Sequence, residues 1–140
     1  MIFITGPLFS GKLAYARTLC DETELCPNAH ELAAKERDLV VLADQLVTRY
    51  KVVVSTEVGG GVVPVDPNER AAREAAGRLA CLLAERADTV VRVFCGLPMA
   101  LKGELPGRSG CCGMARRFIT ILAAIRDGGT SHFPLTVSPP

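Results

Sequence analysis

An α/β fold, with a mostly parallel three-layer sheet and flanking helices, is what this sequence predicts, and three observations carry the prediction. Short apolar, β-branched runs recur at residues 1–5, 51–56 and 89–95, each closed by a glycine-containing segment, as buried parallel strands are. Stretches with apolar residues at helical spacing separate them. The first run leads directly into Gly6-Pro7-Leu8-Phe9-Ser10-Gly11-Lys12-Leu13, and GxxxxGK between a strand and a helix is the pattern of a phosphate-binding loop.

Taken in order, the first strand is followed by a helix from residue 11 or 12 to about residue 20, with Leu13, Ala16, Leu19 and Cys20 along one face. Residues 21–27 read as a loop. Asn28 with Glu31 three positions on is a helix-start signature in which each side chain satisfies a free backbone donor. It opens a second helix to about Tyr50, with Leu32, Leu39, Leu42 and Leu46 as its stripe and Glu31–Lys35 as a surface pair. The strand at 51–56 ends at Glu57-Val58-Gly59-Gly60-Gly61. Asp66-Pro67, with Glu69 after them, starts a third helix, apolar through Ala72, Ala76, Leu79 and Leu83 to about Arg86. The third strand closes at Gly96-Leu97-Pro98. Ligands of such sheets sit outside the carboxyl ends of the strands, which puts residues 6–12, 57–61 and 96–102 on one rim.

Beyond Lys102 the character changes. Residues 103–113 are glycine-rich and read as a connection, residues 114–126 regain helical spacing through Met114, Phe118, Ile121, Leu122 and Ile125, and residues 127–140 carry two glycines and three prolines. The division expected is a nucleotide-binding domain at 1–102 and a C-terminal extension at 103–140. The extension's one amphipathic helix would pack on the sheet or on a neighbouring subunit.

A chain of 140 residues, 49% hydrophobic and 22% charged, can bury a sizeable core. Its net charge of +1 gives no general pull on nucleic acid or anionic lipid, so neither is an expected partner and an anionic ligand must be caught by local geometry. No apolar run approaches the length of a membrane span, and no basic lead with a small-residue cleavage site marks a secretory signal, so a cytoplasmic location is expected. Six cysteines (Cys20, Cys26, Cys81, Cys95, Cys111, Cys112) without a CxxC pair read as reduced thiols, and Cys20, Cys26 and His30 match no common zinc spacing.

The chemistry centres on the loop. Its backbone N–H groups turn inward around a phosphate, its glycines keep side chains out of the way, and its lysine reaches the outer phosphates. Gly6, Gly11 and Lys12 fit; Leu13 stands where a Mg²⁺-binding hydroxyl belongs. Glu57 either caps a strand-end turn or organises Mg²⁺ and accepts a proton. Gly59, Gly60 and Gly61 either permit close approach of a ligand or form a tight turn. Arg70, Arg73, Arg78 and Lys102 are either a solvated face or phosphate contacts. His30 reads as a solvent-facing residue of a first helical turn, and His132 lies in the tail.

Residues 51–102 resemble the C-terminal part of the bifunctional adenosylcobinamide kinase/adenosylcobinamide-phosphate guanylyltransferase family of cobalamin biosynthesis. The residues that carry the likeness are Glu57-Val58-Gly59, Gly61-Val62-Val63-Pro64, Arg70, Arg73, Ala76-Gly77-Arg78, Ala87-Asp88, Gly96-Leu97-Pro98 and Leu101-Lys102, and the loop at 6–12 matches the family's phosphate loop in position. The resemblance implies a P-loop NTPase-like fold, a homo-oligomer (a trimer), GTP or ATP with Mg²⁺, and a corrinoid alcohol, adenosylcobinamide, as acceptor. It makes Lys12 and Glu57 catalytic and Glu57 a metal ligand, with Gly6, Pro7, Leu8, Phe9, Ser10, Gly11, Lys12, Leu13, Gly59, Gly60 and Gly61 around the nucleotide. The chain departs from the family in three ways. Only residues 21–50 stand where the family has a longer region bearing a guanylylated histidine, Leu13 replaces the hydroxyl, and Ala80-Cys81 replaces a polar pair. Residues 103–140 match nothing in the family. The implied function is adenosylcobinamide kinase, with guanylyltransferase as the second activity. The alternatives are a non-catalytic nucleotide- or corrinoid-binding member and an oligomerising subunit in which residues 6–12 are a structural turn.

Overall fold

The structure, a computed structural model, describes residues 1–106; the expected connection beyond Pro106, the helix at 114–126 and the tail lie outside the described residues. In chain order the elements are β1 (Ile2–Gly6), α1 (Lys12–Ala16), a single 3-10 turn (Glu22–Glu24), β2 (Leu25–Cys26), α2 (Ala29–Ala33), α3 (Leu39–Arg49), β3 (Val52–Thr56), α4 (Pro67–Arg86), β4 (Thr89–Phe94) and β5 (Leu97–Lys102). One five-stranded sheet has the order β2-β3-β1-β4-β5. β1 runs parallel to both β3 and β4, β2 parallel to β3, and only the edge strand β5 is antiparallel.

Strand periodicity divides the core between the two faces of the sheet. Phe3, Val53 and Val90 point to one side, where they pack with Ala29, Leu42, Leu46, Leu79 and Leu83 from α2, α3 and α4. Ile4, Val52, Val54, Val91 and Val93 point to the other, against Tyr15 and Ala16 of α1. Each of these large side chains contributes about 1.5–3 kcal/mol through removal from water, and the continuous valine run of β3 is apolar on both faces because both faces are covered.

The structure corrects the expected elements at four places. The second helix is two: α2 ends at Ala33 and α3 begins after Asp38, whose carboxylate accepts from the Val40 and Val41 amides at 3.0 and 3.2 Å. Residues 34–37 are good helix formers, so the break comes from Asp38 offering the backbone a competing cap, while the side chain of Asn28 makes no capping bond. With α2 finished, Lys35 is not on its surface, and its N–H closes a turn on the Leu32 carbonyl. Residues 25–26, read as loop, add the short strand β2. α1 ends at Ala16, its last turn tightening as Thr18 and Leu19 donate to the Tyr15 and Ala16 carbonyls.

The fourth correction bears on the site. Residues 97–102 form a hairpin with β4 and run back along the sheet, Leu97 opposite Phe94 and Lys102 opposite Val90. Cys95 and Gly96 make the turn at φ 50° and 77°, the left-handed pair that a two-residue hairpin needs. Pro98 is tolerated because the strand is an edge. Gly96 therefore stays on the rim, but Lys102 is carried to the opposite end of the sheet, where its Nζ donates to the Ala84 and Glu85 carbonyls and caps α4.

Candidate functional site

Parallel pairing of β1 with β3 in the register Gly6 opposite Thr56 ends both strands at the same level, and the Glu57 N–H donates to the Gly6 carbonyl at 3.0 Å. The loop after β1 and the glycine segment after β3 thus leave the sheet side by side. The β4–β5 turn closes on the same place, the Gly96 N–H donating to the Ser10 carbonyl at 2.9 Å. Of the three rim segments expected from the sequence, two start side by side at Gly6 and Glu57, and the third contributes its first residue.

The loop itself is tightly built. A Cβ on Gly6 would lie 2.4 Å from the Val93 carbonyl oxygen and 2.8 Å from Ser10 Oγ, so glycine is required there by close approach. Gly11, at φ 84°, serves as the N-cap of α1 and brings no side chain to occupy the first-turn amides. Ser10 is 5% exposed and its Oγ has no hydrogen-bond partner among the described residues, an unused donor inside the loop that a ligand oxygen could take up. Pro7 has no N–H to offer; its carbonyl accepts from the Ser10 N–H at 3.2 Å and from Lys12 Nζ at 2.9 Å. Leu8 and Phe9 are exposed, Phe9 in the left-handed region at φ 58°, so their side chains do not form the cradle, and Leu13 packs with the α1-side core.

Lys12 is 8% exposed, and burial pulls its ammonium below the ordinary lysine range while the Glu57 charge pulls the other way. A desolvated ammonium without a full counter-charge is ready to accept an anion. His30 of α2, half-buried, lines a cleft next to Glu57, with Nδ1 accepting the Thr56 N–H at 3.3 Å; Leu8 is the one loop residue on that cleft's wall, and His30 is not the solvent-facing residue the sequence suggests. The cleft measures about 490 Å³ and also takes in Leu8, Glu57, Gly60 and Arg73, a size suited to a small-molecule ligand. A larger groove of about 760 Å³, lined by Arg37, Arg78, Cys81 and Glu85 among others, contains Arg78 but no residue of the loop or of the glycine segment.

The remaining candidates divide. Glu57 is held by Arg92, which donates from Nε and Nη2 to its two carboxylate oxygens at 2.8 Å each. Arg92 was not singled out from the sequence; the signal is a charged residue inside Val90-Val91-Arg92-Val93, on the face that also carries Val90. Arg70 donates to the Pro64 and Val65 carbonyls and Arg73 to Val62, pinning the loop between the glycines and α4. Arg78 pairs with Glu74 away from the cleft. A Cβ at Gly59, Gly60 or Gly61 would meet nothing within 4 Å, and only Gly61, at φ 113°, needs to be glycine for its backbone. The thiols of half-buried Cys20 and buried Cys26 are pushed up in pKa by desolvation, which favours the protonated form.

Nucleotide phosphates suit this arrangement through Lys12, the loop amides and Ser10. Mg²⁺ does not: the ion takes oxygen ligands, Leu13 has no side-chain oxygen, and both oxygens of Glu57 are engaged by Arg92.

Because burial holds the His30 pKa below its ordinary 6.5, the folded protein favours the neutral ring, whose Nδ1 can accept the Thr56 N–H. Stability from this residue is full above the unfolded value and is lost as pH falls through the folded one. Thermal melts from pH 7.5 down to about pH 5 should show a decline that His30→Ala removes, the variant being about 1 kcal/mol less stable at neutral pH.

The fold and the rim define a mostly parallel α/β protein with a phosphate-loop pattern and an acidic strand end at the carboxyl edge of its sheet. Residues 24–101 match the model of the cobinamide kinase / cobinamide phosphate guanyltransferase family, and the chain belongs to that family. The bifunctional adenosylcobalamin biosynthesis protein CobP of Pseudomonas aeruginosa is similar to it, 38% identical over 80 residues that make up 57% of this chain and 46% of that protein. The chain thus spans about half the length of that curated relative. The match to the family model covers β2 through most of β5 and leaves residues 6–12 outside it.

Proposed function

We propose that this chain binds GTP or ATP at the rim formed by residues 6–13 and 56–61, within a P-loop NTPase-like fold, and acts in cobalamin biosynthesis as an adenosylcobinamide kinase. The single observation that supports this best is the convergence of the buried, anion-ready Lys12 with Glu57 through the β1–β3 register. In the reaction, the corrinoid hydroxyl oxygen attacks the terminal phosphorus, the bond to the nucleoside diphosphate breaks, and the hydroxyl proton passes to solvent at the open rim. Lys12, the loop amides and Ser10 Oγ would hold the phosphates and stabilise charge on the oxygens of the transferred group. The cleft with Gly60 and Arg73 would take the acceptor alcohol beside them. Assembly as a homo-oligomer, a trimer, and a cytoplasmic location belong to the same reading.

Leu13 and the Glu57–Arg92 pair favour a second reading, a member that binds nucleotide or corrinoid without turnover. One assay separates the two. Purified chain is supplied with adenosylcobinamide and GTP or ATP, and the products are followed. Corrinoid-dependent release of nucleoside diphosphate supports the kinase, pyrophosphate would mark guanylyl transfer, and no corrinoid-dependent consumption rejects catalysis.

A further inference from the structure

We propose that the guanidinium of Arg92 takes the place of a divalent cation at this site, so that nucleotide phosphates bind without metal. The inference rests on the nucleotide-binding reading above and concerns how that site balances its charge. An acidic side chain beside bound phosphates is a source of repulsion, and phosphoryl-transfer sites usually relieve it with Mg²⁺ lying between the two. Here the carboxylate of Glu57 is already matched by a cation supplied by the chain.

The placement is specific. Arg92 stands opposite Thr5 in β1, one residue before Gly6, and Glu57 is tied by its own N–H to the Gly6 carbonyl. The pair therefore sits against the first residue of the loop, on the α2–α4 side of the sheet. Both Glu57 oxygens are taken at 2.8 Å by Nε and Nη2, and Nη1 makes no hydrogen bond among the described residues, which leaves donors for a phosphate oxygen. The side chains remain partly open, 41% for Arg92 and 34% for Glu57, so the pair is not sealed in the core, and Glu57 itself lines the cleft. An arginine is always charged at working pH, and its pairing with Glu57 offsets that carboxylate, which leaves the Lys12 ammonium available to a phosphate.

Calorimetric titration of GTP and ATP into the full chain, in EDTA and in excess Mg²⁺, tests this. Wild type is expected to bind with dissociation constants within about threefold of each other in the two buffers. Arg92→Leu frees the carboxylate. Its affinity in EDTA should fall about tenfold, as one uncompensated charge a few ångströms from the phosphates requires, and Mg²⁺ should restore it. Adding Glu57→Gln to that variant should recover the EDTA affinity and abolish the metal effect. If melting curves show that Arg92→Leu is unfolded, Glu57→Gln alone decides, since it should bind in EDTA at least as tightly as wild type. Wild-type binding that gains about tenfold or more from Mg²⁺, an Arg92→Leu affinity in EDTA equal to wild type, or weakened EDTA binding by Glu57→Gln would overturn the inference and leave nucleotide binding standing. Binding in neither buffer would overturn the nucleotide reading and this inference with it.

Discussion

Gly6→Ala is expected to cost about 3 kcal/mol of stability and to abolish nucleotide binding. A new Cβ would sit 2.4 Å from the Val93 carbonyl oxygen and 2.8 Å from Ser10 Oγ. The first contact is with backbone in a strand fully buried at Val91 and Val93, so it cannot be relieved by turning a side chain. β1 would have to move away from β4, disturbing Ile4, Val91 and Val93, which are fully buried together. Overpacking of this kind costs about 1–3 kcal/mol even where neighbours are side chains, and backbone opposition puts the expectation at the upper end. Urea denaturation with a two-state fit reads it directly. Gly60→Ala is the matched control, because a Cβ there meets nothing within 4 Å and should leave stability within about 0.5 kcal/mol of wild type.

Lys12→Met is expected to do the reverse, leaving the fold intact while lowering GTP and ATP affinity about a hundredfold. The methionine keeps most of the buried stem and removes only an ammonium whose single hydrogen bond among the described residues goes to the Pro7 carbonyl. Burial already disfavours that charge, so its loss should not lower the melting temperature of the free protein. Bound phosphate, by contrast, would lose a charge-assisted contact in a site with little solvent, worth about 1.5–3 kcal/mol. Ligand-induced thermal stabilisation follows the ratio of concentration to dissociation constant. At a nucleotide concentration that raises the wild-type midpoint by several degrees, the variant should therefore show almost none.

The contrast between these two residues reflects what a sequence makes legible. The strands at β1, β3 and β4, the start of α4 at Asp66-Pro67 and the shared rim of residues 6–12 and 57–61 could be read directly, because each depends on local chemistry or on the general geometry of parallel sheets. Local signals failed where partners distant in the chain decide. The hairpin that carries Lys102 away from the rim hides behind a Cys-Gly turn and a proline that reads as a stop. The break before α3 hides in a run of good helix formers, with Asp38 as its only mark. His30 gave no sign of facing the cleft, since that depends on Thr56, twenty-six positions later. Arg92 was the most consequential omission. In sequence it is one charge in a valine strand, and only the β1–β4 register places it beside Gly6 and opposite Glu57.

Glu57 shows how the missing partner changes a functional reading. The family pattern around it, Glu57-Val58-Gly59 with Gly61-Val62-Val63-Pro64, is intact, and the residue does stand at the expected strand end. Its carboxylate is nonetheless committed to Arg92, which makes it part of a charge-balanced pair and not an open oxygen site.

The most direct test of the central claim, that an anion cradle forms where β1 and β3 end, is to titrate GTP into uniformly labelled protein and follow backbone amide shifts by nuclear magnetic resonance. The largest changes should fall on the amides of residues 8–13 and 56–61, with Gly96 moving alongside through its bond to Ser10. Saturable changes centred elsewhere, on the groove of Arg37 and Arg78 for example, or no changes at all, would contradict it.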